Sequence, residues 1–349
     1  MLATLVGSIT LRAIYSLIIA FIITFMLGPW VIKKLKEKKI GQQVREEGVQ
    51  AHLAKSGIPT MGGVMIIVSV FVSTCLLQTL DRNLYMVLGT LLGMAALGFA
   101  DDFLKITKKQ TDGVIARYKL IVQSSIGLII GTVLYLDPSV PNTLFVPLLR
   151  TEIDLGLFYV LLTTLTIVGS SNAVNLTDGL DGLAAGVMFI VIACMGVVAY
   201  LSGNAIYSKH LGIPHIVGMG ELSIFCFAMV GACLGFLWYN SKPAQVFMGD
   251  TGSLALGGAL GTVAVLCKAE LFLIVVGGIF VIEAMSVILQ VASFRLRNKK
   301  RIFRMAPIHH HFELMGWDEN KVVIRFWIIT LILALLGLSL LGLNGRIFL

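Results

Sequence analysis

The sequence predicts an all-α protein, a single bundle of ten membrane-spanning helices over residues 1–349, and three observations support this. Hydrophobic residues make up 57% of the chain and charged residues only 13%, whereas soluble domains carry roughly 25% charged residues. Ten apolar segments approach or exceed the roughly 20 residues that a helix needs to cross the hydrocarbon. Positive charges lie mainly in alternate loops between those segments. The chain is therefore expected to be a membrane protein without a separate soluble domain.

The ten segments follow one another along the whole chain. They cover residues 11–32, 62–80, 84–103, 118–136, 156–174, 182–201, 221–239, 253–268, 270–294 and 322–343. The first is too long for the core of a signal peptide, so we expect a permanent span. The ninth is longer than a perpendicular crossing requires and contains Gly277 and Gly278, so we expect it to tilt or break there. Glu283 in the same segment is either paired within the bundle or functional.

Lysine and arginine residues predict the orientation of the bundle. Loops 33–61, 104–117, 175–181, 240–252 and 295–321, together with Lys119, hold 20 of the 27 Lys and Arg residues, and the opposite side holds six. Because positive charge is retained in the cytoplasm, we expect these loops to be cytoplasmic and both termini to be periplasmic. This topology and anionic lipid headgroups account for the net charge of +8, so no nucleic-acid partner is needed.

Unusual acidic residues fall at the cytoplasmic ends of the predicted helices. Asp101 and Asp102 end the third helix, whereas Asp178, Asp181 and Asp250 lie in loops after the fifth and seventh. Capping of the following helix explains Asp178, Asp181 and Asp250 singly. It does not explain Asp101 and Asp102, because negative charge at the C-terminal end of a helix opposes the helix dipole. A carboxylate at mid-membrane costs about 2.5–3.5 kcal/mol, so the whole set favours a shared cation. Oxygen ligands without cysteine favour Mg²⁺ over zinc.

Two further features of the same face are suited to phosphate. Lys119 lies at the start of the fourth helix, where a positive charge is unfavourable for the helix dipole but is well placed to neutralise a phosphate. The alternative is that Lys119 only anchors the helix at the membrane interface. Three consecutive histidines lie between the ninth and tenth helices. In an extended segment His309 and His311 would face one way and His310 the other. We expect them to bind phosphate or sugar rather than metal.

At these positions the chain resembles the polyprenyl-phosphate N-acetylhexosamine-1-phosphate transferases. The resemblance rests on Lys55-Ser-Gly-Ile-Pro-Thr60-Met-Gly-Gly, Gly98-Phe-Ala-Asp101-Asp102, Ala116-Arg-Tyr-Lys119, Asn175-Leu-Thr-Asp178-Gly-Leu-Asp181-Gly and Phe247-Met-Gly-Asp250-Thr-Gly-Ser. A further stretch resembles the muramoyl-pentapeptide branch of that family. It comprises Pro307-Ile-His-His-His-Phe-Glu313, Gly316-Trp317 and Arg325-Phe-Trp.

The resemblance implies a ten-helix homodimer in the bacterial inner membrane, with its active site facing the cytoplasm. It implies transfer of phospho-MurNAc-pentapeptide from UDP-MurNAc-pentapeptide to undecaprenyl phosphate, giving lipid I and UMP, with Mg²⁺ as cofactor. The residues expected to be catalytic are Asp101, Asp102 and Asp250, of which Asp250 is the expected metal ligand. The residues expected near the uridine are Asp178, Gly179, Leu180, Asp181, Asn240 and Phe247. Those expected around the rest of the substrate are Lys55, Thr60, Lys119, Asn175, Gln290, His309, His310 and His311.

Two other functions are weighed against this one. A relative that transfers GlcNAc-1-phosphate would share the acidic motifs, but the histidine segment argues against it. A transporter would place ionisable residues near mid-membrane at a repeat interface, whereas here they cluster at one interface. The mechanism is open between direct in-line attack by the lipid phosphate and a two-step route through an aspartyl-phosphate.

Overall fold

The computed structural model describes residues 7–38, 57–108, 113–297 and 299–343. In these residues the chain is a helical bundle with one small β-hairpin. The helices are α1 (Ile9–Glu37), α2 (Gly63–Leu77), α3 (Arg82–Lys108), α4 (Ala116–Tyr135), α5 (Phe158–Thr177), α6 (Leu183–Ser202), α7 (Ala205–Leu211), α8 (Leu222–Asn240), α9 (Gly249–Leu266), α10 (Glu270–Val276), α11 (Gly278–Leu296), α12 (Ile308–Leu314) and α13 (Glu319–Leu343). A 3₁₀ turn, Met219–Glu221, leads directly into α8.

Every apolar segment predicted from the sequence coincides with helix. Eight helices of the described part are long and apolar enough to cross a membrane, namely α1, α3, α4, α5, α6, α8 with its 3₁₀ turn, α11 and α13. Helix α2, with 15 residues, is shorter, and α9 is outside the eight although it is apolar after its first turn. The fold is thus that of a polytopic membrane protein, while the count of ten spans and the orientation stay predictions.

The predicted break in the ninth segment is confirmed. Helix α10 ends at Val276, and α11 begins at Gly278. A Cβ atom on Gly278 would lie 2.8 Å from Leu333 Cδ1 on α13. Glycine at this position therefore allows close packing of α11 on α13 as well as the interruption of the helix.

The all-α prediction missed the hairpin between α4 and α5. Strands β1 (Thr143–Val146) and β2 (Thr151–Asp154) pair antiparallel, with Thr143 opposite Asp154. Each strand has four residues, and β2 is exposed along its whole length. Such short strands give almost no periodic signal beside span-length apolar segments.

Small residues bring α9 against α3 and α5. A Cβ atom on Gly98 of α3 would lie 2.1 Å from the backbone oxygen of Asp250, and one on Gly257 of α9 would lie 2.5 Å from the backbone oxygen of Ser170 on α5. Helices can approach this closely only where the side chain is missing or very small. The three helices therefore meet at the end of the bundle that carries Asp101 and Asp250, which we call the aspartate end.

Candidate active site

Three carboxylates converge at the aspartate end. One oxygen each from Asp101, Asp102 and Asp250 lies within 4.8 Å of the other two. Asp101 and Asp102 are buried near the C-terminal end of α3, which ends at Lys108, five residues beyond the predicted segment. Asp250 is in the first turn of α9, where the helix dipole favours an anion. Of the five aspartates expected to share a cation, these three lie together, and we call them the carboxylate cluster; Asp178 and Asp181 are not part of this group.

Two ammonium groups bridge Asp101 and Asp250. Lys119 Nζ lies 2.8 Å from Asp101 Oδ1 and 2.7 Å from Asp250 Oδ2. Lys105 Nζ lies 2.7 Å from Asp101 Oδ2 and 3.2 Å from Asp250 Oδ2. The amide of Asn175 donates to the other oxygen of Asp250 at 2.9 Å. The predicted residues Lys119 and Asn175 are thus part of the site, while Lys105, four residues after Asp101 on the same helix face, was missed.

Asp102 is engaged differently, because it holds the N-terminus of α9. Its Oδ2 accepts hydrogen bonds from the backbone N–H of Thr251 at 2.9 Å and from the Thr251 hydroxyl at 2.7 Å. Its Oδ1 accepts the backbone N–H of Asp250 at 3.2 Å. The alternative in which Asp250 caps this helix is therefore wrong, since the free N–H groups are satisfied from α3. This contact fixes the position of Asp250 relative to Asp101.

The first residue of α9 must be glycine, and Thr60 lies beside it. Gly249 has a φ of +73°, and a Cβ there would lie 2.6 Å from Asp102 Oδ2 and 2.9 Å from Thr60 Oγ1. Two backbone hydrogen bonds of 2.8 Å join Phe247 to segment 59–62. Thr60 and Phe247, both predicted to bind substrate, therefore lie beside the carboxylate cluster.

Asp178 follows the last turn of α5 and is within electrostatic range of the cluster. Burial, followed by the negative charges of Asp250, Asp102 and Asp181, raises the pKa of Asp178 to about 8. The backbone N–H of Gly249 donates to it and opposes that shift. In the protein without a bound cation, Asp178 therefore carries a proton over much of the neutral range.

Asp181 and Asn240 hold together two loops, 178–182 after α5 and 241–248 after α8. Asp181 Oδ2 accepts a backbone N–H of the second loop at 3.1 Å. The Asn240 side chain accepts a hydrogen bond from the backbone N–H of Gly182 in the first loop at 3.0 Å. It also donates one to the backbone carbonyl of Val246 in the second loop at 2.9 Å. Leu180 is buried in the hydrophobic core. These three predicted residues shape the site through the loops.

The three histidines lie on helix α12, so the expectation of an extended segment is wrong. Successive residues of a helix point about 100° apart. His309 is fully buried, and a Cβ on Gly179 would lie 2.3 Å from its Nε2. His310 Nδ1 lies 2.8 Å from Glu313 Oε2, and His311 Nδ1 accepts a backbone N–H of the preceding loop at 3.1 Å. His309 therefore lies behind loop 178–182, while the rings of His310 and His311 are partly exposed.

Gln290 and Glu283 are both on α11 and have different partners. The Gln290 side chain makes three hydrogen bonds, each 3.0 Å long, with the backbone of residues 302–303, so it supports the loop after α11. Glu283 Oε2 lies 3.1 Å from His309 Nδ1, so of the two sequence alternatives the structure shows pairing within the bundle. Lys55, also predicted to bind substrate, lies outside the described residues.

Comparison with known proteins identifies the family. The family model described as glycosyl transferase family 4 matches residues 84–268, and the one described as phospho-N-acetylmuramoyl-pentapeptide-transferase signature 1 matches residues 55–67. A protein named phospho-N-acetylmuramoyl-pentapeptide-transferase from Syntrophus aciditrophicus is 54% identical over 96% of this chain and 94% of its own length. The chain belongs to the phospho-N-acetylmuramoyl-pentapeptide-transferase family. Proteins of the same name from Desulfotalea psychrophila and Thermodesulfovibrio yellowstonii are each 51% identical over the same shares.

The carboxylate cluster of this member of the phospho-N-acetylmuramoyl-pentapeptide-transferase family fits a divalent ion. Its donors are hard oxygen atoms within 4.8 Å of one another, and Mg²⁺ binds one or two carboxylates together with substrate phosphates. Two lysine ammonium groups already lie against the oxygens of Asp101 and Asp250. The cluster is thus arranged to attract cations and could hold a metal ion.

Proposed function

We propose that this protein transfers phospho-MurNAc-pentapeptide from UDP-MurNAc-pentapeptide to undecaprenyl phosphate, giving lipid I and UMP. The observation that carries the proposal is the convergence of Asp101, Asp250, Lys105 and Lys119 at one end of a membrane bundle. A pyrophosphate donor and a phosphate acceptor are both anions, so their reaction depends on charge neutralisation and alignment. The family name supplies the transferred group, and a lipid acceptor suits a site at the end of membrane helices.

In this proposal Asp250 is the ligand for Mg²⁺, and Asp101 and Asp102 complete the catalytic centre. Bound Mg²⁺ would neutralise charge on the pyrophosphate. Lys105 and Lys119 each carry three donors, so they can contact phosphate oxygens while they remain at the carboxylates. Asp102 keeps α9, and with it Asp250, in place.

The remaining predicted residues are proposed to surround the donor. Loops 178–182 and 241–248, the second of which contains Phe247, form the uridine side. The sugar, phosphate and peptide side is proposed to use Lys55, Thr60, Asn175, Gln290, His310 and His311. We propose that His309, which is fully buried, acts through loop 178–182.

Direct in-line displacement fits the environment of Asp101 best. An oxygen of the lipid phosphate forms a bond to the β-phosphorus of the UDP-sugar, and the bond to the bridging oxygen breaks as UMP leaves. Asp101 already accepts a hydrogen bond from the backbone N–H of Val114 at 2.7 Å and contacts Lys105 and Lys119. These contacts suit Asp101 to positioning the two lysines beside the reacting phosphates. Exchange of labelled UMP into the UDP-sugar without lipid would instead demonstrate the aspartyl-phosphate route.

We also propose a homodimer in the inner membrane with ten spans, periplasmic termini and a cytoplasmic aspartate end. The distribution of Lys and Arg supports this orientation, and helices α2 and α9 would complete the ten. Lys209→Cys and Lys321→Cys place thiols at exposed positions on opposite predicted sides. A membrane-impermeant thiol reagent should label the first in intact cells and the second only after permeabilisation. The reverse pattern would overturn the orientation.

The activity is tested by UMP release from UDP-MurNAc-pentapeptide in purified protein. Release should require both Mg²⁺ and undecaprenyl phosphate, and Asp250→Ala should abolish it at saturating Mg²⁺ while the protein remains folded. UDP-GlcNAc is the discriminating second donor. Turnover of UDP-GlcNAc in place of the muramoyl donor would replace the proposed reaction by the GlcNAc-1-phosphate transfer.

A further inference from the structure

Glu283 and His309 form a buried pair away from the carboxylate cluster. The glutamate comes from α11 and the histidine from α12, and both side chains are fully buried. A carboxylate inside an apolar helix is costly unless it has a partner. Its Oε2 lies 3.1 Å from His309 Nδ1. In the described part of the chain no oxygen of Glu283 and no ring nitrogen of His309 makes a hydrogen bond of regular geometry, so this contact is the polar contact that each side chain has.

The opposite edge of the histidine ring supports loop 178–182. A Cβ on Gly179 would lie 2.3 Å from Nε2 and 2.7 Å from Cε1 of His309. The ring is therefore wedged between the Glu283 carboxylate and the backbone of Gly179. Only glycine leaves room for a ring at this distance, so the loop and the ring fit each other closely.

The supported loop leads directly to the carboxylate cluster. Gly179 follows Asp178, whose carboxyl group accepts the backbone N–H of Gly249, the residue before Asp250. A shift of Gly179 would therefore be transmitted to Asp178 and to the start of α9. The chain of contacts runs from Glu283 through His309 and the loop to the cluster.

The carboxylate also selects the state of the ring. A neutral imidazole carries its hydrogen on one nitrogen only, and a neighbouring carboxylate favours the tautomer with that hydrogen on the nearer nitrogen. Here the nearer nitrogen is Nδ1. Nε2, which faces Gly179, then carries no hydrogen. A ring without this hydrogen is smaller at that edge and fits against the glycine backbone.

We infer that Glu283 is a positioning residue: with His309 it forms one buried support that sets the position of loop 178–182 for the UDP-sugar donor. It touches no substrate and acts only through the histidine. The inference rests on the proposed function, because the loop is assigned there to the uridine side. Glu283 is thus expected to influence donor binding without influencing the lipid acceptor.

The test uses Glu283→Gln, His309→Gln and the double variant in the full-length protein. Glu283→Gln keeps the shape of the side chain but removes the negative charge that faces Nδ1. We expect kcat/KM for UDP-MurNAc-pentapeptide to fall about 10- to 100-fold, the range seen when the carboxylate behind a metal-bound histidine is changed. The KM for undecaprenyl phosphate should stay unchanged. The kcat/KM of the double variant should be no lower than that of the less active single variant, because both changes remove the same support.

The matched control is Glu270→Gln, which removes charge from another buried glutamate, on the neighbouring helix α10. Its effect on kcat/KM should add to that of His309→Gln. Additive effects of Glu283→Gln and His309→Gln, or an unchanged KM for the donor with only a lower Tm, would overturn the inference. Failure of the wild-type protein to turn over the donor would instead overturn the proposed function.

Histidine ¹⁵N NMR keeps the inference testable if a His309 variant does not fold. In ¹⁵N-histidine-labelled protein, the ring ¹⁵N shifts of one histidine should change between wild type and Glu283→Gln, and those of none between wild type and Glu270→Gln. Identical spectra for wild type and Glu283→Gln would show that Glu283 does not set the state of His309.

Discussion

Lys119 Nζ lies 2.7 Å from Asp250 Oδ2, although 131 residues separate the two in the chain. Lys105 reaches the same oxygen from α3. The site therefore has two fixed positive charges next to its acidic residues. This local balance allows carboxylates to remain buried near hydrocarbon, and it places cationic donors where phosphate groups would bind.

The first prediction concerns Lys105, which was not recognised in the sequence. Lys105→Met should lower kcat for UMP release by about 10²–10³-fold, the loss typical of removing one donor that stabilises transition-state charge. Lys108→Met, one turn further along the same helix and exposed, is the matched control and should retain wild-type kcat. Equal activity of the two variants would show that Lys105 only balances charge.

The second prediction concerns the close approach of α3 and α9. Gly98→Ala places a methyl group 2.1 Å from the backbone oxygen of Asp250, so α9 must move. Overpacking of this kind costs about 1–3 kcal/mol of unfolding free energy, and activity should be lost because Asp250 moves away from Asp101. Gly89→Ala on the same helix has no atom within 4 Å of the added methyl and is the control. A Tm for Gly98→Ala as high as that of Gly89→Ala would contradict the packing argument.

The third prediction concerns Asp102. Asp102→Ala removes the acceptor for the N–H groups of Asp250 and Thr251. Loss of a helix cap costs about 0.5–2 kcal/mol, measurable as a lower Tm of the purified protein. Thr251→Val removes only the hydroxyl bond to the same carboxylate and should cost less. If Thr251→Val were the more damaging of the two, the capping role of Asp102 would be wrong.

The fourth prediction concerns pH. Burial raises the pKa of Asp178 to about 8, so between about pH 4 and pH 8 the folded protein binds more protons than the unfolded chain. Stability of the metal-free protein should therefore fall as pH rises through this window. The free energy of unfolding should fall by at most about 1.4 kcal/mol per pH unit. The fall is smaller here because Asp178 is partly exposed. Thermal unfolding without Mg²⁺ at pH 6 and pH 8 measures it.

Asp178→Asn should flatten that pH dependence, since the amide does not titrate. Asp154→Asn, an exposed residue of β2, is the control and should leave the dependence unchanged. A wild-type protein that becomes more stable from pH 6 to pH 8 would contradict the raised pKa of Asp178.

The sequence predicted the main features of the aspartate end because polar residues are conspicuous in apolar segments. Asp101 and Asp102 stood out in this way, and Asp250 stood out in the loop before the eighth predicted helix; the convergence of the three is confirmed. Lys105 did not stand out, because a basic residue after a membrane helix is already explained by topology. Its contact with Asp101 and Asp250 depends on the tertiary approach of α9 to α3, which no local pattern encodes.

Other differences have equally local causes. Helix α12 has only seven residues, too few for a periodic pattern to separate it from an extended loop, so the directions of His309 and His311 were predicted wrongly. The supporting roles of Asn240 and Gln290 depend on backbone groups of distant loops. The resemblance named these residues but could not indicate which groups they contact.

The hydrogen bonds that Asp102 accepts from the first turn of α9 have a consequence for biosynthesis. The N–H groups they satisfy belong to a helix that emerges from the ribosome 148 residues after Asp102. Until α9 has been inserted beside α3, its first turn lacks this acceptor and the carboxylates of the two helices are apart. A nascent chain that ends before α9 therefore contains no assembled carboxylate cluster, which forms only when α9 packs beside α3.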